Sequence, residues 1–427
     1  MKYLNLLILF SYSLFPFANA QDESAKVQEI AQATEEASKG VAETSELDKE
    51  LSVASFGVSS ILTESPMDSF YRMPPSQFYI KYLDEIHRGE SFRYLPILTD
   101  IVKNDGDEYA FECTLSLFKD GFGGGTVLME NKRIEGVMEN KKNVLFFPVD
   151  MFLEFSDTDD FGLYNIFFEV KDLKEGTTVK SKAQILLTDW ELPPVELTKD
   201  EINSFVFRYN FDYDKEAFYS SFFSKGLDFY KKGGYNGFDA MLISFYKTVF
   251  ADNAFLYNKL QEEFLKMSEA DRNRTIMINA FMQKPRFAKK NISSQELIYQ
   301  SYIFGEFSFD FKPYEGELLS PVDMEVLWGE FFARGNYRPI ERILQAYEYK
   351  AQAEYTMKVF RKELPEPNTK QQETALLKGR MYILVDNYIK SYIASPILQR
   401  YLLWTLENTA SANIKEALSV IINPSSK

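Results

Sequence analysis

Histidine and cysteine are nearly missing from this chain: among 427 residues there is one of each, His87 and Cys113. A single cysteine excludes an intramolecular disulfide and every metal or redox motif built on several thiolates. A single histidine excludes histidine metal clusters and leaves at most one imidazole for nucleophile–base chemistry. Basic charge is also short, with 48 Lys and Arg against 63 Asp and Glu, a formal net charge of −15. Phosphate backbones and anionic head groups repel such a chain, so nucleic acid is not an expected partner. Past the first residues no apolar run approaches the roughly 20 residues of a membrane span, so no stable membrane insertion is expected.

What is abundant is aromatic: 38 Phe and 26 Tyr, which implies cores built around rings. The length calls for more than one core, since single cores rarely grow past roughly 250 residues. Lys2, the apolar run 4–15 and the small-x-small site Ala18-Asn19-Ala20 together read as a signal peptide over residues 1–20. Cleavage after Ala20 would start the mature chain at Gln21, in the periplasm or outside the cell. Residues 21–55 carry nine acids and three lysines with few large apolar side chains, so 21–76 is read as an acidic tether and loop.

From residue 77 to 192 the apolar period is two. Tyr109, Phe111, Cys113, Leu115 and Leu117 alternate with Ala110, Glu112, Thr114 and Ser116, the pattern of a strand with one face in a core. Tyr164, Ile166, Phe168 and Val170 repeat it, as do Val179, Ala183, Ile185 and Leu187. Turn clusters separate six or seven such runs, which predicts an antiparallel β-sandwich. Within it, Asp160-x-Gly162-x-Tyr164 resembles the tyrosine corner of immunoglobulin-like domains. Ile166 stands where such a domain would place its second disulfide cysteine, and no Trp occupies the middle strands.

After Trp190 and Pro193-Pro194 the period becomes helical and stays so over 195–427. Phe238, Met241, Leu242, Phe245 and Val249 make one stripe, and Met324, Leu327, Trp328 and Phe331 another. Ser320-Pro321 with Asp323, and Ser395-Pro396, are helix starts: a hydroxyl cap, proline in the first turn, and an acid near the positive dipole end. Further helices are expected near 199–207, 214–232, 253–268, 270–283, 294–303, 340–363, 371–393, 397–408 and 412–422. Segments 242–253 and 324–336 look alike, each passing through an apolar stripe into an aromatic-Ala pair (Phe250-Ala251, Phe332-Ala333) about 82 residues apart. That pairing favours a stack of helix hairpins, a solenoid-like domain.

The helical half resembles a group of exported bacterial helical proteins without assigned activity. The residues that carry the likeness are Tyr209-Asn210 through Asp214, the stretch from Phe245 to Asn253, and Leu327-Trp328-Gly329-Glu330-Phe331-Phe332-Ala333-Arg334-Gly335-Asn336. The resemblance implies an all-helical fold and supplies no catalytic residue.

Local motifs for chemistry are sparse. His87 lies in the charged run 84–90 and reads as a solvated side chain, while Cys113 falls on the apolar face of its strand and reads as core. Gly121 to Thr126 is glycine-rich but lacks the following lysine of a phosphate loop, so it reads as a turn. Asp157, Asp159 and Asp160 begin like a calcium loop, but Phe161 and Phe168 fill two ligand positions, so they remain only a candidate for a metal at the sandwich end. Glu325 and Glu330 flank Trp328 and read as solvated acids on a helix back. No cofactor is implied, and no residue is assigned a catalytic role. The composite expectation is an exported, non-catalytic protein of the cell envelope working through protein partners, of unknown oligomeric state. The competing readings are an Asp/Glu hydrolase of envelope polymers or glycans, and a secreted effector.

Overall fold

The computed structural model describes residues 57–63, 83–99, 108–120, 125–137, 144–146, 151–156, 158–190, 196–212, 214–229, 239–282, 293, 295–296 and 313–422. The signal segment, the acidic tether to residue 56, Pro193-Pro194, Gly121 to Gly124 and nearly all of the helix expected over 294–303 lie outside the described residues.

Strands precede helices. The strands are β1 (Gly57–Thr63), β2 (Glu85–His87), β3 (Ser91–Thr99), β4 (Glu108–Lys119), β5 (Gly125–Val137), β6 (Val144–Phe146), β7 (Met151–Glu154), β8 (Gly162–Asp172) and β9 (Thr178–Thr188). They form two sheets. In one, β3 pairs with β1, β6 and β7; the other runs β2-β9-β8-β4-β5. Both sheets feed one core, where Phe92, Tyr94 and Leu98 of β3 meet Phe111, Cys113, Ile166 and Phe168 of the other sheet. The rings of Tyr94 and Phe168 lie 5.8 Å apart. The alternation read in β4 and β8 is therefore the packing pattern itself: Phe111, Cys113 and Leu115 are buried, and so are Ile166, Phe168 and Val170.

Two expectations are corrected here. The short stretch 57–63, read as loop, is strand β1, antiparallel to β3 over seven residue pairs. The second sheet is mixed, because β2 runs parallel to β9 (Glu85↔Leu186, Ile86↔Leu187, His87↔Thr188). A three-residue strand leaves no periodic trace in sequence, and only the long connection to β9 allows a parallel partner.

The helices are α1 (Lys199–Asp212), α2 (Lys215–Phe223), α3 (Ala240–Asp252), α4 (Ala254–Glu263), α5 (Glu269–Phe281), α6 (Pro321–Arg334), α7 (Tyr337–Leu344), α8 (Lys350–Phe360), α9 (Lys370–Tyr392), α10 (Pro396–Asn408) and α11 (Ala412–Ile422). The predicted caps form: the Ser320 side chain accepts from the Asp323 amide and Ser395 from the Leu398 amide. The helix expected over 340–363 is divided into α7, a 3-10 turn over 345–349 and α8. One continuous core threads the helices, with Trp328, Phe331, Phe332, Tyr246 and Tyr401 fully buried.

The two look-alike segments pack on each other. Ser244 Oγ donates to Val326 O at 2.8 Å, and Arg334 Nη2 donates to Asp252 Oδ1 at 2.8 Å. Ala240 clusters with Val322 and Val326. Ser244 and Val326, Asp252 and Arg334, and Ala240 and Val322 are each 82 residues apart, and these pairs advance in the same direction, so α3 and α6 lie side by side and parallel, equivalent positions adjacent. Gly329 permits the approach: a Cβ there would overlap Met241 O and sit 2.7 Å from Ser244 Cβ.

Candidate functional site

The largest departure from sequence expectation is His87. It is 4% exposed and lies where the sheets meet the helices. Parallel pairing of β2 with β9 sets His87 opposite Thr188, and Thr188 Oγ1 reaches His87 Nδ1 at 3.2 Å and Glu85 Oε1 at 2.5 Å. On the helical side Asp214 caps α2 by accepting from the Ala217 amide at 2.8 Å. That cap fixes the first turn, which carries Lys215 and Glu216. Glu216 Oε1 stands 2.7 Å from His87 Nε2. Lys215 forms an ion pair with Glu90, and both side chains are almost wholly buried.

The chain reverses between His87 and Glu90 to allow this. Gly89 has φ +76, and the Glu90 amide donates to His87 O at 3.0 Å. The reversal brings Glu90 Oε2 back to accept from the His87 amide at 3.1 Å. Rings close the site: Trp190 meets the imidazole edge-on at 4.9 Å and Phe255 stacks at 5.9 Å. Tyr219 packs on Trp190 and donates to Glu263 at 3.0 Å; burial and that carboxylate push its phenol far above the ordinary range.

Proton counting assigns roles within the network. Glu85 and Glu216 accept when ionised, and Thr188 has a single proton, directed at Glu85 across the 2.5 Å contact. The two ring nitrogens of His87 each face one of these partners, Nε2 the Glu216 carboxylate and Nδ1 the Thr188 hydroxyl oxygen. Chemically, the arrangement is a fastening between strand ends and the first turn of a helix. The bond from His87 is the main reason the Glu216 carboxyl is held below its usual range, against the opposing effect of burial.

The acids proposed for a metal have other partners. Asp159 Oδ2 accepts from the Ser156 amide at 2.6 Å and from its hydroxyl at 2.8 Å, and Asp160 pairs with Lys119 at 3.2 Å. Asp157 lies outside the described residues. Arg88 donates to Asp159 O and covers the Phe161 ring at 3.7 Å. Tyr164 Oη donates to Asp160 O at 2.8 Å, the bond that the Asp-x-Gly-x-Tyr pattern implies. Among the described residues no group of three or more His, Cys, Asp or Glu is placed to hold a metal ion, and no helix is long and apolar enough to cross a membrane.

Cys113 is buried, and burial followed by Glu112 pushes its thiol up to about 12. Glu325 and Glu330, read as solvated, are half-buried and bonded: Tyr388 donates to Glu325 at 3.2 Å, and Tyr314 and Arg334 donate to Glu330 at 2.9 and 2.6 Å. The correction has a common cause with that of His87. A charged side chain is buried when a partner distant in sequence meets it, and composition does not register such partners. Lys215, Glu216, Glu90 and Thr188 were not singled out by sequence; the one local signal was the capping Asp214 directly before Lys215 and Glu216.

No family model matches the chain, and no curated protein matches it. Among solved structures it is similar to native alpha-2-macroglobulin from Escherichia coli, spanning domain MG7 to the C-terminus. That match has 11% identity over 77% of this chain and 66% of that one, with a TM-score of 0.16. It is also similar to the cryo-EM reconstruction of the native conformation of the same E. coli protein, at 12% identity over 84% of this chain and 26% of that one, TM-score 0.16. The chain thus spans just under two thirds of the first and about a quarter of the second. Likeness this loose assigns neither a family nor an activity.

Proposed function

We propose that this chain is an exported, non-catalytic scaffold for protein–protein contact in the cell envelope. In this reading 77–192, extended by β1, is an immunoglobulin-like sandwich, and 195–427 is a stack of helix hairpins. The observation that carries it is the junction. Its single imidazole and a buried Lys–Glu pair are spent on holding strands to helices in one orientation. A buried ion pair stabilises little relative to an apolar pair of equal volume, but it tolerates few alternative geometries. The Tyr164 bond to Asp160 O supports the immunoglobulin-like assignment, and the 82-residue register between α3 and α6 supports the stacked hairpins.

The contact surface belongs to the helices more than to the outer strand β5. That strand has two register shifts against β4, a left-handed Asn131 at φ 47, and the charges Lys132, Arg133 and Glu135. Bulges and charges of this kind discourage strand addition at a sheet edge. The test is recovery of partners on the immobilised mature chain from envelope extracts, followed by a binding isotherm with the purified partner. Saturable binding supports the scaffold. Turnover on a glycan or peptide panel, lost on carboxylate substitution and without any partner, would replace it with the hydrolase reading.

A further inference from the structure

Helix α8 and the first half of α9 form an arm that stands apart from the helical core. No residue in 350–380 belongs to that core, whereas Met381, Val385 and Ile389 further along α9 do. Helix α8 packs chiefly on α9. They cross at Gly379, where a Cβ would overlap Thr356 Oγ1 and Gln352 O, and Thr356 Oγ1 donates to Leu376 O at 3.2 Å. Two ion pairs tie the arm to the body, Lys350 to Glu416 at 2.7 Å and Lys378 to Glu317 at 2.5 Å.

Beside the crossing lies a groove of about 400 Å³ with Ala353, Met357 and Ile383 on its walls and Lys358, Arg361 and Glu363 among its charged residues. Next to it an apolar stripe faces solvent: Met357 is 38% exposed, Phe360 52% and Leu364 38%. Met357 and Phe360 lie one turn apart on α8, and Leu364 follows beyond the end of the helix, after the left-handed Lys362 at φ 60. The arm also departs from the charge of the chain. Residues 350–380 hold seven Lys and Arg against four Glu, within a protein of net charge −15. Arg380 sits over the Phe360 ring at 5.4 Å, and Lys358 has no ion-pair partner among the described residues.

We propose that this arm is a docking surface for an acidic amphipathic helix of a partner polypeptide. The inference rests on the scaffold reading and names its surface. Two facing helices with a groove and exposed apolar side chains beside it match helix-in-groove recognition, and the cationic flank selects acidic residues around the apolar face of the bound helix. A membrane surface is the less suited occupant, because an anionic bilayer meets the acidic remainder of the chain as well, whereas a single helix meets the cationic arm alone.

The experiment uses the full mature chain and three probes: a labelled helix of Leu/Glu heptads, its Leu/Lys counterpart, and phosphatidylglycerol vesicles. The expected result is saturable binding of the Leu/Glu helix that weakens about tenfold or more from low to high salt. Phe360→Ser with Leu364→Ser should weaken it by about tenfold or more, and Lys358→Glu with Arg361→Glu should shift preference to the Leu/Lys helix. These side chains are exposed, and an unchanged circular dichroism spectrum checks that the variants fold. Equal binding of both helices, binding of vesicles in place of helices, or no binding at all overturns the proposal. If a partner found with the intact chain binds the arm variants with unchanged Kd, the arm assignment falls and the scaffold reading stands.

Discussion

The Ser244 hydroxyl donates to the Val326 carbonyl at 2.8 Å, and this bond sets the register of the two central helices. A hydroxyl that reaches across to a backbone carbonyl needs the helix axes close together, and Gly329 supplies the clearance.

Gly329→Ala should therefore destabilise the helical part. In a solvent-facing helix the change would gain about 1 kcal/mol of helix propensity. Here the added methyl overlaps Met241 O, a backbone atom that cannot rotate aside, and overpacking of this kind costs roughly 1–3 kcal/mol. A lower denaturant midpoint is the expected result. A higher midpoint would mean the α3–α6 contact is looser than described.

The thiol of Cys113 should be silent in the folded protein. It is wholly buried in the sheet core and its pKa is raised to about 12, so the thiolate that reacts is scarce and shielded. A chromogenic disulfide reagent should label one thiol in denaturant and almost none without it. Rapid labelling of the native chain would count against the sheet packing at β4.

These two positions differ in how far sequence reached them. The burial of Cys113 follows from the two-residue period around it, and so do most residues of β4, β8 and β9. The bond from Tyr164 to Asp160 O and the serine caps of α6 and α10 were readable as well, because each is a bond within a few residues of chain. The 82-residue likeness marked the segments of α3 and α6 as similar but did not reveal that they pack on each other. His87, Glu325 and Glu330 were misread for one physical reason. The free energy of burying a charge depends on its partner, and Glu216, Tyr388 and Tyr314 lie 129, 63 and 16 residues from theirs. Strand β1 escaped notice because its seven residues gain their order from β3 and not from any pattern of their own.

Loss of one member of the Lys215–Glu90 pair should cost more than loss of both. Lys215→Ala takes the counter-charge from the buried Glu90 carboxylate, a defect worth about 3–5 kcal/mol. Lys215→Met combined with Glu90→Leu removes the charge along with its partner, although the His87 amide then loses its acceptor, worth about 1–3 kcal/mol if it stays dry. Urea unfolding of both singles and the double completes the cycle. Additive single effects would show that the two side chains do not meet in solution.

The Glu216 carboxyl gives the junction a pH dependence with a definite sign. Its folded-state pKa is lowered, chiefly by the bond from His87 and against the effect of burial. A carboxylate with a depressed pKa contributes stability that is fully present above its unfolded value and lost as pH falls through the folded one. Acidification should therefore weaken the hold of α2 on β2 in the window just below the ordinary glutamate range. In Glu216→Gln the side chain cannot ionise, so the variant should be less stable than the parent at neutral pH, and the gap should close as the medium becomes acidic. Denaturant midpoints for both proteins across that window test the point. A gap that stays constant with pH would mean that the Glu216 carboxylate is not bound to His87 in the folded chain, and the fastening assigned to this pair would have to be sought elsewhere along the junction.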